Sequence, residues 1–433
     1  MTKNKKIDQD LYQIENFDKI DPFLMTLTSS EDYWMYISST GSLTAGKKNP
    51  ETCLFPYETV DNLHKNAHSS GPITIIKVKV GEEIIIWEPF SQFLINKNIK
   101  RNLYKNCTGN TIIFEEINKD LKLTFRYQWN ISKNFGFVKK TTLINDGNHK
   151  QEISVLDGFQ NIMAAGIELQ NQQTMSNLSN AYRYSELLEK SKCALYSLTS
   201  LLMDTPKPGE SLYANVVWAS SDFDYKISLS SDQIKLFKKN MKFNENHLVT
   251  GEPGAFLINF DSTIESKDII SWEIVSDVKK DQISVSEIDN KVSLNKNLRK
   301  ELFEGIKLDS DDLENYIGNS DGFQCTEISI NDMHHTANVL YNVMRGGILN
   351  NNYNVLVKLT LYFVIVTFLL FIFYSPIFII SGFGSVFGNK FVSSSEEIKL
   401  FDFINHYFII TPSYLYNNII IFYTLYLFLL FYF

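Results

Sequence analysis

From Asp32 to Val275 the chain keeps returning to one local pattern: short runs of β-branched and aromatic residues, each closed by a Gly, Asn, Asp or Pro turn signal. The runs are 32–39, 73–80, 83–87, 111–117, 121–130, 136–145, 152–163, 193–203, 212–219, 255–260 and 269–275. Leu121 to Trp129 alternates apolar and polar residues, as a half-buried antiparallel strand must. Gly81 and Asn145-Asp146-Gly147 are turns, because Gly and Asn tolerate positive φ. Roughly a dozen such strands at short spacing predict an antiparallel sandwich. Within this region only two stretches read as helix: 180–190, which Asn180 can cap, and 231–239.

From about Gln282 the period changes. Val285, Ile288, Val292, Leu294, Leu298 and Leu302 fall near helical spacing over 284–306, and 309–317 predicts a second helix. A third helix, capped by Asn331 or Asp332, runs toward Arg345 and stops at Gly346-Gly347. Its apolar residues Ala337, Leu340, Val343 and Met344 share one face, which must pack on something.

After Val355 the composition breaks. Residues 359–380 form an uncharged apolar run of about twenty residues, long enough to span a bilayer. Residues 419–433 form a second, shorter run. Lys358 and Lys390 flank the first run and give little orientation signal.

The sequence has 433 residues, enough for two or three domains, and a net charge of −8, which argues against a nucleic-acid partner. The charged N-terminus has no apolar core of a secretory signal. Cys53, Cys107, Cys193 and Cys325 form no CxxC pair and read as free thiols in a reducing cytosol. The sequons at Asn106, Asn130 and Asn177 are then expected to be unused.

Residues 38–57 hold the densest cluster of Gly, Ser, Thr, Asn and Lys. Gly41, Gly46 and Lys47 imitate a phosphate loop, but Lys48 stands where Ser or Thr should hold Mg²⁺, and Pro50 blocks the following helix. His64 and His68 have the spacing of two metal ligands on one helix. Lys65 replaces the Glu of a zinc protease, and no third ligand presents itself, so no metal site and no cofactor are expected. His334-His335 reads as a polar first turn of the third helix. No Gly-x-Ser-x-Gly elbow occurs, and no Cys has an activating setting. Glycoside cleavage needs placed carboxyl groups; Glu31/Asp32, Glu115/Glu116 and Asp311/Asp312 read as loops, strand ends or a polar helix turn. Trp34, Tyr36, Trp87, Phe90, Tyr127, Trp129 and Trp218 lie on or beside expected strands. Flat rings suit sugar faces, though each ring singly is more often core.

The 38–57 segment resembles the N-terminal motif of proteins similar to cellobiose phosphorylase, GxLTAGRxNPxxALFPYxTDDKI. The matching residues are Gly41, Leu43, Thr44, Ala45, Gly46, Asn49, Pro50, Leu54, Phe55, Pro56, Tyr57, Thr59 and Asp61. Collinear stretches extend the resemblance over residues 15–353: Trp87-Glu-Pro-Phe90, Arg101-Asn-Leu-Tyr104, 113–117, 123–129, 156–162, 174–178, 214–218 and 342–348. The resemblance implies a β super-sandwich, then linker helices, then an (α/α) barrel carrying the general acid. The barrel has no counterpart here, since the apolar tail stands in its place.

The expected fold is therefore mainly β: an antiparallel β super-sandwich over 1–280, a helical linker over 281–353 and a hydrophobic tail over 354–433. The tail reads either as a membrane anchor or, favoured by the abruptness of the break, as an out-of-frame translation of an A+T-rich gene. The expected role is carbohydrate binding without turnover, in the cytoplasm or at the cytoplasmic face of a membrane; the rival is a membrane-tethered scaffold. The expected ligand is an oligosaccharide or sugar phosphate. Candidate contacts are Lys47, Lys48 and Asn49, which offer donors to hydroxyls or phosphate, with Trp34, Trp87, Arg126, His334 and Arg345. A homodimer is expected from exposed sheet faces.

Overall fold

The computed structural model describes residues 5–8, 11–91, 98–174, 176–201 and 209–346. They fall within one unit, Met1–Ile348. The second unit, Leu349–Phe433, lies outside the described residues, and with it both apolar runs of the tail. Among the described residues no helix is long and apolar enough to cross a membrane.

The first strands are β1 (Lys5–Asp8), β2 (Leu11–Glu15), β3 (Leu24–Leu27), β4 (Tyr33–Ser38), β5 (Leu43–Lys47) and β6 (Cys53–Phe55). After helix α1 (Val60–Lys65) come β7 (Gly71–Val80), β8 (Glu83–Trp87), β9 (Ile99–Asn106), β10 (Ile112–Asn118), β11 (Leu123–Ser132), β12 (Gly136–Asn145) and β13 (Gln151–Ile162). Helices α2 (Leu169–Thr174) and α3 (Ser176–Ala181) precede β14 (Arg183–Leu187), β15 (Ala194–Leu198), β16 (Tyr213–Ser221) and β17 (Lys226–Ser228). Helix α4 (Asp232–Lys238) leads to β18 (Leu248–Thr250), β19 (Gly254–Ile264) and β20 (Ile269–Asp281). Helices α5 (Gln282–Leu294), α6 (Leu298–Asn319) and α7 (Ser329–Gly346) follow.

The described strands form three antiparallel sheets. The largest has 11 strands in the order β1-β2-β9-β10-β11-β12-β20-β16-β15-β14-β18. A 5-stranded sheet runs β17-β19-β13-β7-β8, and a 4-stranded one runs β3-β4-β5-β6. Strand periodicity decides what each face carries. On β11, Leu123, Phe125, Tyr127, Trp129 and Ile131 enter the main core, and Thr124, Arg126, Gln128 and Asn130 lie on the opposite face. The same core takes Met35, Ile37, Leu43 and Phe55 from the small sheet and Val155, Phe159, Phe256 and Ile258 from the 5-stranded one. Rings interlock across it: Trp129 stacks on Phe159 at 5.6 Å and Phe114 on Tyr127 at 4.8 Å.

The helices after β20 cover part of the large sheet's outer face. Asp281 caps α5 by accepting from Ser284 N at 2.8 Å. Val285, Ile288, Val292, Leu298 and Leu302 pack on Val138, Val216, Trp218 and Val275. Gly305 of α6 lets the helix approach β11 closely; a Cβ there would stand 2.2 Å from Ser132 Oγ. Asp309 of α6 binds Ser29 Oγ at 2.7 Å and Ser30 N at 2.8 Å, which fastens the helix to the β3–β4 connection.

Three sequence expectations are corrected. Most of the stretch 180–190 is not helix: 180–181 end α3, and Arg183–Leu187 form the strand β14, whose backbone pairs with β15 and β18 and whose Leu187 packs against the core. The helix expected over 284–306 is broken, because Asn295 Oδ1 accepts from Asn297 N at 2.8 Å and turns the chain; α6 then absorbs 309–317. Helix α7 begins at Ser329, ahead of both expected caps, and Asp332 instead accepts from Thr326 Oγ1 at 2.7 Å.

Candidate functional site

The 38–57 segment folds as antiparallel strands, not as a strand and helix around a phosphate. Gly41 (φ 92°) turns β4 into β5, and Ser38 N reaches Ser42 O at 2.8 Å. At the β5–β6 turn Lys47 N bonds Thr52 O, Lys48 N bonds Asp32 O and Asn49 N bonds Lys47 O, each at 2.8 Å. These backbone donors are consumed locally, so none cradles an anion. The side chains follow suit. Lys47 Nζ lies 4.2 Å from the centre of the Tyr33 ring. Lys48 is exposed, 3.9 Å from Asp32, and Asn49 Oδ1 accepts from Thr52 Oγ1 at 2.6 Å.

The other face of this sheet carries rings. Trp34 lies 5.9 Å from Tyr36, tilted by 31°, and 5.6 Å from Tyr57, edge-on at 83°. Gly46, opposite Trp34 in the pairing, makes room: a Cβ would meet Trp34 Cζ2 at 2.4 Å and Thr52 O at 2.5 Å. Tyr36 is 36% exposed, and Trp34 and Tyr57 are half-buried. Beside them Ser38 Oγ and His64 Nδ1 are 2.6 Å apart. This bond, and the end of α1 at Lys65, removes the metal spacing of His64 and His68, because the two do not share a helix.

Glu115 and Glu116 are not strand-end solvent groups; both are buried, on opposite faces of β10. Glu116 turns inward, where its Oε1 accepts from Trp87 Nε1 and its Oε2 from Phe90 N, both at 2.7 Å. Arg101 Nε also donates to that Oε2, at 2.8 Å. Glu115 turns outward and accepts from Asn102 Nδ2 at 2.7 Å, Tyr104 Oη at 2.8 Å and Arg126 Nε at 2.5 Å. Stretches quoted above for a resemblance thus meet one another in space. Burial and Glu115 together push the Tyr104 hydroxyl far above its ordinary value.

Trp87 is therefore core, 2% exposed, and not a surface for sugar. Tyr127, Trp129 and Trp218 are buried as well. Arg126 lines an open cleft of about 480 Å³ with Lys119, Lys122, Thr124, Ile144 and Asp146, where Thr124 Oγ1 donates to Asp146 at 2.5 Å. His334 is exposed on α7, and its neighbour His335 approaches Asp321 O at 3.4 Å. Arg345 lies on the last turn of α7, with its side chain outside the described residues. The structure thus places Trp34 next to the Lys47–Asn49 turn and puts Arg126, His334 and Arg345 on other elements.

A carboxylate that sequence reading passed over sits in the main core. Asp157 accepts from Thr74 Oγ1 and Lys139 Nζ at 2.6 Å, and from Trp272 Nε1 at 2.7 Å. Both ends of the Lys139–Asp157 pair are fully buried. The available signal was an acid inside the apolar run Val155-Leu-Asp-Gly-Phe159. With every oxygen bonded and no solvent, Asp157 is structural. Among the described residues no group of His, Cys, Asp and Glu is arranged to hold a metal.

No protein-family model matches the chain, and no curated protein matches it. Among solved structures it is similar to a bacterial glucoamylase complexed with acarbose, at 8% identity over 72% of this chain, with a TM-score of 0.39. It is also similar to a candidate kojibiose phosphorylase from the human microbiome, at 9% identity over 73% of this chain and a TM-score of 0.36. A galactose mutarotase-like protein from Clostridium acetobutylicum gives 10% identity over 64% of this chain and a TM-score of 0.33. The match spans 40% of the glucoamylase, 39% of the phosphorylase and 100% of the mutarotase-like protein.

Proposed function

We propose that this chain is a carbohydrate-binding β-sandwich unit of glycoside-phosphorylase-like build, whose sugar surface is the ring cluster Trp34, Tyr36 and Tyr57. The observation that carries the reading is that cluster itself. Tyr57 belongs to the segment on which the resemblance rests, Trp34 and Tyr36 stand on β4 just before it, Gly46 makes room for the cluster, and one ring is more than a third exposed. Aromatic faces bury the C–H side of a pyranose, while hydroxyls need donors and acceptors nearby. Ser38 on β4 and His64 on α1, paired with each other beside the rings, are the groups proposed to supply them. Glu115 and Glu116 are each already saturated by hydrogen bonds within the fold, so neither is offered as a cleaving group.

A glycan array probed with the full chain, followed by titration calorimetry on the best ligand, tests this. Tyr36→Ala removes an exposed ring and is expected to weaken binding roughly tenfold, the equivalent of one good ring contact. Retention of full affinity by Tyr36→Ala, or no saccharide bound by the wild type, would refute the reading. So would release of sugar phosphate from a β-glucoside by this chain.

A further inference from the structure

The sheet edges among the described residues are defended, with one exception. β1 carries Lys5 and Lys6 and a bulge before Asp8, and β6, β17 and β18 are three residues long. β3 gives its Thr26 carbonyl to Lys105 Nζ at 2.8 Å. Such devices keep unpaired strand edges from joining other chains. β8, the outer strand of the 5-stranded sheet, has none of them. It has no Lys, Pro or bulge, and Ile84 is 54%, Ile85 38% and Ile86 38% exposed. Val80, at the adjoining end of β7, is also exposed.

The turn fixes which backbone groups of β8 face outward. β7 and β8 are joined by Gly81 (φ 65°) and Glu82 alone, so the closing pair Val80–Glu83 exchanges hydrogen bonds and the pairs alternate from there. Glu83, Ile85 and Trp87 therefore aim N–H and C=O at β7, and Ile84 and Ile86 aim theirs away from the sheet. A second β8 laid antiparallel about a two-fold axis at Ile85 sets Ile84 against Ile86 of the second copy, and Ile86 against Ile84 of the second copy. Both are hydrogen-bonded pairs in that register, so the outward N–H and C=O of both residues are used and apolar side chains meet on both faces. Charge fits the same register. Lys79 is held by Glu152 at 2.9 Å, and Lys77 Nζ lies 4.0 Å from the centre of the Phe237 ring. Glu83 meets Trp87 of the second copy, and Glu82 meets Glu88 of the second copy, which Lys238 already neutralises at 2.7 Å. Between Glu83 and Trp87 nothing polar on the side chains of β8 would select a foreign strand, whereas its own sequence is the complement that every copy carries.

We infer that this chain forms a two-fold dimer by antiparallel pairing of β8 with β8 of a second copy, centred on Ile85, so that two 5-stranded sheets run on as one. The surface is a sheet edge, on a different sheet from the ring cluster, and does not depend on the saccharide reading. An edge pair buries little surface, so the dimer is reversible and depends on concentration.

Sedimentation velocity of the full chain over a range of concentrations should show a monomer–dimer equilibrium. Ile85→Lys sets like charges face to face across the axis and should raise the dissociation constant roughly a hundredfold. Cysteine cross-linking reads the register, in a Cys325→Ser background because Cys325 is an exposed free thiol. Ile85→Cys faces its own copy in a non-hydrogen-bonded pair, where Cα atoms about 4.5 Å apart suit a disulfide. On mild oxidation it should cross-link roughly tenfold faster than Ile84→Cys or Ile86→Cys alone, whereas a mixture of those two variants should join to each other. A wild type that is monomeric at every concentration, or association unchanged by Ile85→Lys, overturns the proposal. So does cross-linking of Ile85→Cys no faster than that of Ile84→Cys. Should Ile85→Lys fail to fold, the cross-linking rates decide by themselves.

Discussion

Replacing Lys139 by Met isolates what the buried ion pair does. Lys139 and Asp157 are both 0% exposed, and their atoms are 2.6 Å apart. Met keeps most of the volume and removes the charge. Asp157 then holds its bonds from Thr74 and Trp272 but has lost its counter-ion in a water-free core. Breaking one side of such a pair costs about 3–5 kcal/mol, a large share of the roughly 5–15 kcal/mol that holds a typical domain together. Urea unfolding followed by tryptophan fluorescence suits the test, because Trp272 donates to Asp157 itself. With a slope of about 3 kcal/mol per molar, the midpoint should fall by roughly 1 to 2 M at unchanged slope. The double variant Lys139→Met/Asp157→Leu removes both charges and should recover most of the loss, since a well-packed apolar pair often matches a buried ionic one. A loss below about 1 kcal/mol in the single variant, or a double variant as unstable as the two singles summed, would show that the pair is not coupled in a dry core.

Two further outcomes follow from particular contacts. Gly158→Ala should lose about 3 kcal/mol, the top of the overpacking range, because its Cβ would stand 1.9 Å from Phe256 O on the paired strand; a wild-type urea midpoint would refute the close approach. Burial pushes the Asp309 carboxyl above its ordinary value, against the bonds from Ser29 and Ser30. A folded-state value above the unfolded one means that the native chain holds the proton more tightly. Stability therefore falls as pH rises from the unfolded value through the folded one, and returns on acidification. Asp309→Asn should flatten that slope in urea midpoints measured across the acid range, and identical slopes in the two proteins would contradict it.

Strands with strict alternation or clean turn signals were legible one by one. Glu83–Trp87 and Gly136–Asn145 were placed to the residue, because Gly81 and Asn145-Asp146-Gly147 fix their ends. β9 escaped notice since Ile99-Lys-Arg-Asn102 carries no apolar period; its backbone is held by β2 and β10 on either side. β14 was misread because Glu and Leu favour a helix locally, and only its neighbours β15 and β18 make the extended form win.

The candidate site divides in the same way. Composition and spacing alone ruled out a P-loop at Gly46, since a Lys and a Pro stand where Mg²⁺ binding and a helix start are needed. They also made the chain mainly β, because period-two patterning is a property of neighbours in sequence. What no reading of the chain in order could decide was which rings and charges reach solvent. Trp34 and Trp87 look alike in sequence, yet one joins a partly open cluster and the other donates to a buried glutamate. Arg126 is half-exposed and paired with Glu115 on the neighbouring strand, whereas Arg183 is buried and, among the described residues, has no acid paired with it. Burial and pairing depend on segments far apart in the chain, so only tertiary structure could assign them.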